Sequence, residues 1–180
     1  MTDPREFHLT ATLRNGAVVT IRHVRPDDRG RLVQAFRKLD PESVYTRFFR
    51  YVTEPTEQQL KRATETDPSQ HVALVVTTST EADEAIIASG RYFVSVGADG
   101  KCSAEVAFLV EEDYQGQGLA SRLLAALAGI ARSQGISDFE ADVLAENRSM
   151  LAVFARSGLP MRQRRDGGVV HISLSLGSTS

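Results

Sequence analysis

Six residues, Gln115-Gly116-Gln117-Gly118-Leu119-Ala120, restrict the fold of this chain more than any other stretch. They join a short apolar run, Val106-Ala107-Phe108-Leu109-Val110, to a long Ala/Leu-rich segment that begins at Leu119. The run reads as a buried strand and the segment after it as a helix, with Leu119, Leu123, Leu127 and Ile130 on one stripe. Strand, glycine-rich turn and helix in that order leave a row of backbone N–H groups without intrahelical partners at the positive helix end. A corner of this kind is suited to phosphate.

The rest of the chain reads as alternating short elements. Residues 7–13 and 17–24 alternate apolar and polar around Arg14-Asn15-Gly16, a hairpin signal. Helices are expected from Pro26, with Leu32, Val33, Phe36 and Leu39 at helical spacing, from Pro41 through Phe49, and from Thr56 to Thr66. Strands are expected over 71–77, 85–96 and 103–111, a helix over 118–133 closed by Gly135, a strand over 139–144, and a helix over 148–157 closed by Gly158. A hairpin over 160–165 and 168–176 ends the pattern. This is an α+β chain, with residues 1–176 expected to form one domain and 177–180 a small polar tail.

Bulk properties narrow the function classes. A chain of 180 residues buries roughly 70% of its unfolded surface without disulfides or metals. The net charge of −2 gives no basic field of the kind that holds nucleic acid or an anionic membrane, and Arg162 to Arg165 read as a solvated edge. The single cysteine, Cys102, suits a reducing compartment. No apolar leader or membrane span is visible, so a cytoplasmic location is expected, without nucleic-acid or membrane partners. The histidines, His8, His23, His71 and His171, lack metal-ligand spacing, and no metal site is expected.

Three readings of the glycine corner compete. Gly116-x-Gly118-x-x-Ser121 approaches the dinucleotide fingerprint, but Glu111-Glu112-Asp113-Tyr114 separate it from the strand, and the preceding turns are too short for parallel crossovers. A P-loop is excluded because no Gly-Lys-Ser/Thr follows. A turn that merely lets a helix pack on a strand is the second reading. The third is a resemblance: Gln115-x-x-Gly118-x-Ala120 is similar to the Q/R-x-x-G-x-G/A motif of the GNAT N-acetyltransferases. Leu144-Ala145-Glu146-Asn147, a short helix and Ser157-Gly158-Leu159 resemble the later strand and helix of that family.

The resemblance covers about residues 9–176 and implies a fold, a donor and site residues. The fold is layered α/β: a mixed, mostly antiparallel central sheet flanked by helices, with a splayed central strand pair. The donor is acetyl-CoA. Backbone amides of Gln117 to Ser121 would face its pyrophosphate, with Gln115, Gly116, Gly118, Leu119 and Ala120 completing the cradle. Phe108, Leu109 and Val110 would line the pantetheine arm, and Asn147 would contact the cofactor. The acids at 111–113 should point away from the turn.

Glu105 interrupts an otherwise apolar strand, with Ala104, Val106, Phe108 and Val110 on one face and Ser103, Glu105, Ala107 and Leu109 on the other. Apolar residues on both faces predict a strand covered on both sides. A strand-end glutamate pairing with Arg91 is the plain reading of Glu105. A general base is the functional one, because freeing an amine of pKa 10.4 at pH 7 costs about 4.6 kcal/mol. Ala104-Glu105-Val106-Ala107-Phe108-x-Val110 resembles the strand that carries the base glutamate in bacterial protein-lysine acetyltransferases. Phe154 stands where many family members carry a tyrosine that protonates the departing thiolate, which leaves Tyr114 and Ser121 as substitutes. Cys102, beside Lys101 but with no helix N-terminus or histidine paired to it, does not read as a nucleophile, so transfer is expected to be direct.

The acceptor side is expected in the N-terminal half. Tyr45-Thr46-Arg47-Phe48-Phe49-Arg50-Tyr51 reads as a core face or an acceptor wall, near Asp40, Glu42 and Glu54. Residues 19–28 and 39–49 resemble the GNAT domain that bacterial lysine acetyltransferases carry fused to acyl-CoA synthetase or cyclic-nucleotide modules. No such module is visible here, so regulation by one is expected to be absent or to act in trans. A protein lysine is the expected acceptor, with a small-molecule amine, or a non-catalytic acyl-CoA-binding module, as alternatives. The oligomeric state stays open between monomer and homodimer.

Overall fold

The computed structural model describes residues 3–37, 56–78 and 84–177, with Glu112 described by its backbone alone. The helical piece expected from Pro41 through Phe49, the aromatic and arginine cluster at 45–51, and residues 178–180 lie outside the described residues.

The Asn-Gly hairpin forms as read, with β1 (His8–Thr12) and β2 (Val18–His23) joined by a turn in which Gly16 has φ 89°. A 3-10 turn, Pro26–Asp28, leads into α1 (Arg29–Arg37). Asp28 sits at this junction, fully buried. It receives two 2.8 Å bonds from Arg22, while Arg22 also reaches Glu84 at 2.8 Å. The network fixes α1 against β2. The next helix among the described residues, α2 (Glu57–Thr64), starts on a reciprocal cap between Thr56 and Gln59.

Then follow β3 (His71–Thr78), β4 (Ile86–Val96), β5 (Cys102–Val110), α3 (Leu119–Ser133), β6 (Asp138–Leu144), α4 (Arg148–Ala155), β7 (Met161–Asp166) and β8 (Val169–Ser175). Element ends differ from the sequence reading by one or two residues, where terminal turns fray. At the end of α3 the Ile136 N–H donates to Ala131 and the Gly135 N–H to Arg132, with Gly135 at φ 80°. That is a Schellman closure, which needs glycine at Gly135.

The strands form one sheet in the order β1-β2-β3-β4-β5-β6-β8-β7. All neighbours are antiparallel except β5 and β6. These two run parallel and pair only at Ser103–Asp138, Ala104–Phe139 and Glu105–Glu140. Beyond Glu105, β5 stays with β4 to Val110 while β6 stays with β8 to Leu144, so the two central strands splay. The fold is thus the mixed, layered α/β arrangement that the sequence suggests.

The larger core lies on one face, where Leu74, Tyr92, Val106, Phe108 and Phe139 meet Leu119, Leu123 and Leu127 of α3 and Phe154 of α4. On the opposite face Ala73, Val75, Val24 and Ile86 pack against Leu32 and Ala35 of α1. The cover is unequal along β5. Ala104, Val106 and Phe108 are buried, but Glu105 is exposed and Ala107 and Leu109 are half-buried. This corrects the expectation of a strand covered on both sides: among the described residues α1 packs on Ala73, Val75 and Ile86, and the Glu105 end of the face stays open.

Candidate active site

Gly118 caps α3 in the left-handed region at φ 81°, and Gly116 has φ 78°. Both conformations are strained for any residue with a Cβ. The first intrahelical bond runs from the Arg122 N–H to the Gly118 carbonyl at 3.1 Å. The amides of Gly118, Leu119, Ala120 and Ser121 therefore have no acceptor among the described residues, and they converge at the positive end of a 15-residue helix. Leu119 and Ala120 bury their side chains in the core, so only their backbone faces outward.

Side chains brace the turn. The Gln115 amide donates to the Val110 carbonyl at 3.3 Å, fixing the strand end to the turn. Gln117 accepts from the Asn15 N–H at 3.2 Å, Arg14 donates to the Gly116 carbonyl at 3.4 Å, and Arg122 donates to the Thr12 carbonyl at 3.5 Å. The tip of the β1–β2 hairpin is thus docked on the glycine turn. Nothing in the sequence assigns the hairpin to this site. Its only signal was an arginine beside an Asn-Gly turn, which says nothing about a contact 102 residues away.

Between the splayed strands lies a cleft of about 1150 Å³. Its lining holds every residue expected in the site: Glu105, Phe108, Leu109 and Val110 from β5, Gln115 to Ser121 from the turn, and Asn147 before α4. Glu111 and Asp113 take no part in it. Four arginines (Arg14, Arg122, Arg148 and Arg156) line it against three carboxylates (Glu105, Asp142 and Glu146), which biases it toward an anion. The Asn147 Oδ1 caps α4 by accepting from the Met150 N–H at 3.3 Å, which leaves its amide NH2 to donate.

Glu105 stands at the vertex of the splay, as the last residue of β5 paired with β6. Its carboxylate has no ion-pair or hydrogen-bond partner among the described residues. The plain reading, a pair with Arg91, is not what forms. The register sets Phe93, not Arg91, opposite Glu105, and Arg91 extends over the Phe93 ring instead. Phe154 is buried to 1% exposure with its ring 6.0 Å from that of Phe108, so this position supplies a wall and no proton. Tyr114 and Ser121 both line the cleft. Cys102 begins β5, outside the lining. Among the described residues, no cluster of His, Cys, Asp or Glu could hold a metal, and no helix is long and apolar enough to cross a membrane.

Comparison with known proteins agrees with this geometry. The Acetyltransferase (GNAT) family model matches residues 34–159. Acetyltransferase Pat of Mycolicibacterium smegmatis is 36% identical over 158 residues, which cover 88% of this chain and 46% of that protein. The chain therefore spans about half the length of that relative. The crystal structure of the GNAT domain of S. lividans PAT matches with a TM-score of 0.84 at 33% identity, covering 97% of this chain and 99% of that one. The fold also matches yncA from Salmonella typhimurium, solved with its cofactor acetyl-CoA, with a TM-score of 0.72 at 17% identity and coverage of 90% and 96%. Unpaired amides at a glycine turn, a splayed strand pair and this agreement over the length of the chain lead to one assignment: the chain belongs to the GNAT acetyltransferase family.

Proposed function

We propose that residues 1–176 act as one acetyl-CoA-dependent N-acetyltransferase unit that passes acetyl directly to an amine, a protein lysine in the first place. The observation that carries this reading is the placement of Glu105 at the closed end of the cleft whose other end holds the unpaired amides of Gly118 to Ser121. Those amides, with Arg14 and Arg122, suit a diphosphate. The exposed edges of β5 at Leu109 and Val110 suit the amide-bearing arm. Bound acetyl-CoA supplies an activated acyl group. Glu105 accepts one proton of the incoming ammonium, the amine nitrogen bonds to the carbonyl carbon and sheds its second proton, and the carbon–sulfur bond breaks with its electron pair leaving on sulfur. Tyr114 and Ser121 are the hydroxyls at hand to return a proton to that sulfur. The resemblance of residues 19–28, 39–49 and 104–110 to bacterial lysine acetyltransferases supports the lysine acceptor, and the lone Cys102 is in keeping with a reducing cytoplasmic setting.

The test is Glu105→Gln. Turnover with an amine acceptor should fall about 100-fold or more while calorimetric acetyl-CoA affinity stays within about twofold. Intact-mass analysis of lysate proteins incubated with the unmodified chain gives the acceptor class. A chain that binds acetyl-CoA yet acetylates no protein and no small amine would be an acyl-CoA-binding module instead.

A further inference from the structure

The sheet register sets one row of side chains across five strands on the face opposite α3. His71 of β3 stands beside Phe93 of β4, Phe93 beside Glu105 of β5, Glu105 beside Glu140 of β6, and Glu140 beside Ser173 of β8. Side chains adjacent in such a row lie about 5 Å apart. Among these five, Glu105 alone also lines the cleft. Its two neighbours therefore flank the vertex of the splay from outside the donor channel.

Phe93 is 47% exposed, unusual for a large apolar residue next to a functional carboxylate. Its ring is held in place rather than loose. It stacks on His71 with centroids 4.1 Å apart and planes 18° from parallel. Burial, then Arg91 and His23, keep His71 neutral at ordinary pH, so the stack adds no charge beneath the ring. The Arg91 guanidinium lies 5.8 Å from the ring centroid and shares the strand face on the Ala107 side. On the far side of Glu105, the exposed Glu140 accepts from the Ser173 hydroxyl at 2.9 Å, which orients its carboxylate.

A fixed apolar ring, a free carboxylate and a second, oriented carboxylate in one line match an unbranched primary alkylammonium. The methylene stem runs along the part of the Phe93 ring that His71 and Arg91 leave exposed, and the charge lies between the carboxylates. The Arg91 charge repels an ammonium from the Ala107 end and leaves Glu105 and Glu140 as the attractive direction. We propose that Phe93 is an acceptor-specificity residue that receives the alkyl stem of a lysine-type amine, with Glu140 sharing the ammonium. The inference rests on the acetyltransferase reading above.

The experiment compares acetyl transfer to Nα-acetyl-lysine amide and to Nα-acetyl-2,3-diaminopropionamide, whose stem has a single carbon. The unmodified protein should prefer the longer stem. Phe93→Ala should raise KM for the lysine compound about fivefold and shrink that preference, with kcat and calorimetric acetyl-CoA affinity within about twofold. Phe93→Leu, which keeps apolar area without the ring, should fall between. Glu140→Gln should raise the same KM by a similar factor, and the difference should fade at high salt. An unchanged KM in Phe93→Ala, or one that rises only with an equal loss of acetyl-CoA affinity, overturns this inference alone. If the unmodified protein transfers acetyl to neither compound nor to any lysate protein, the acetyltransferase reading fails and the inference falls with it.

Discussion

A methyl group at Gly90 would lie 2.9 Å from the Phe108 ring and 3.2 Å from Leu127, too close for either to stay where it is. Gly90 faces Phe108 directly in the β4–β5 register, so the ring lies over the bare backbone. Phe108 in turn leans on Phe154 and forms a wall of the cleft. Gly90→Ala must push the ring toward Phe154 and into the donor channel. Overpacking of this kind costs about 1–3 kcal/mol, and the variant should lose that much in urea unfolding while its acetyl-CoA affinity also falls. Adding Phe108→Leu should return most of the stability, because the clash and its relief share one contact. Additive losses would mean the ring is not what Gly90 accommodates. The sequence carried no sign of this, since a lone glycine in a strand marks a close approach without naming what approaches. Glu105 was legible for the opposite reason: a charge in an apolar strand stands out without any knowledge of its neighbours.

The elements were legible wherever the signal was local. Asn15-Gly16 gave the hairpin, Gly116 and Gly118 gave the start of α3, and Gly135 its end, because each position needs a backbone conformation that few other residues adopt. What stayed hidden was contact between elements. The hairpin tip meets the glycine turn through Arg14, Asn15 and Arg122, and no periodicity encodes that meeting. The open face around Glu105 is hidden in the sequence for the same reason, since Ala107 and Leu109 are apolar whether or not a helix covers them. The docking of the hairpin has a measurable consequence. Arg14 is exposed and, among the described residues, holds only a long bond to Gly116, so its removal should change stability by less than about 0.5 kcal/mol. Beside the unpaired amides, however, its charge is placed to meet phosphate. Arg14→Ala should weaken acetyl-CoA binding about tenfold, and less so as salt rises. Affinity equal to that of the unmodified protein would remove the hairpin from the donor site.

At the scale of the whole molecule, buried groups in the sheet and at its junction with α1 titrate in a way that makes stability depend on acidity. Burial, reinforced by Arg91 and His23, depresses His71 from 6.5 to about 4, and burial likewise lowers His23. A base whose folded pKa is depressed refuses a proton that the unfolded chain accepts. As pH falls from 6.5 to about 4, the unfolded state therefore gains protons that the folded state does not, and stability drops. For His71 alone the loss is on the order of 3 kcal/mol at its limit. Asp28 adds a second arm. Burial works to raise its pKa, but the bonds from Arg22 and from the Arg25 amide outweigh it and hold the carboxyl below its ordinary 3.8. Its contribution is complete above 3.8 and is lost as pH falls through the lower folded value. Stability from urea unfolding should hence be flat from pH 8 to 7, decline between about 6.5 and 4, and fall again below that. His71→Phe keeps a ring stacked on Phe93 without the titration. It should flatten the upper decline, leaving the share owed to His23, and spare the lower one. If His71→Phe retains the whole loss between pH 6.5 and 4, the buried imidazole under Phe93 is not its source, and the neutral stack beneath the acceptor row loses its thermodynamic signature.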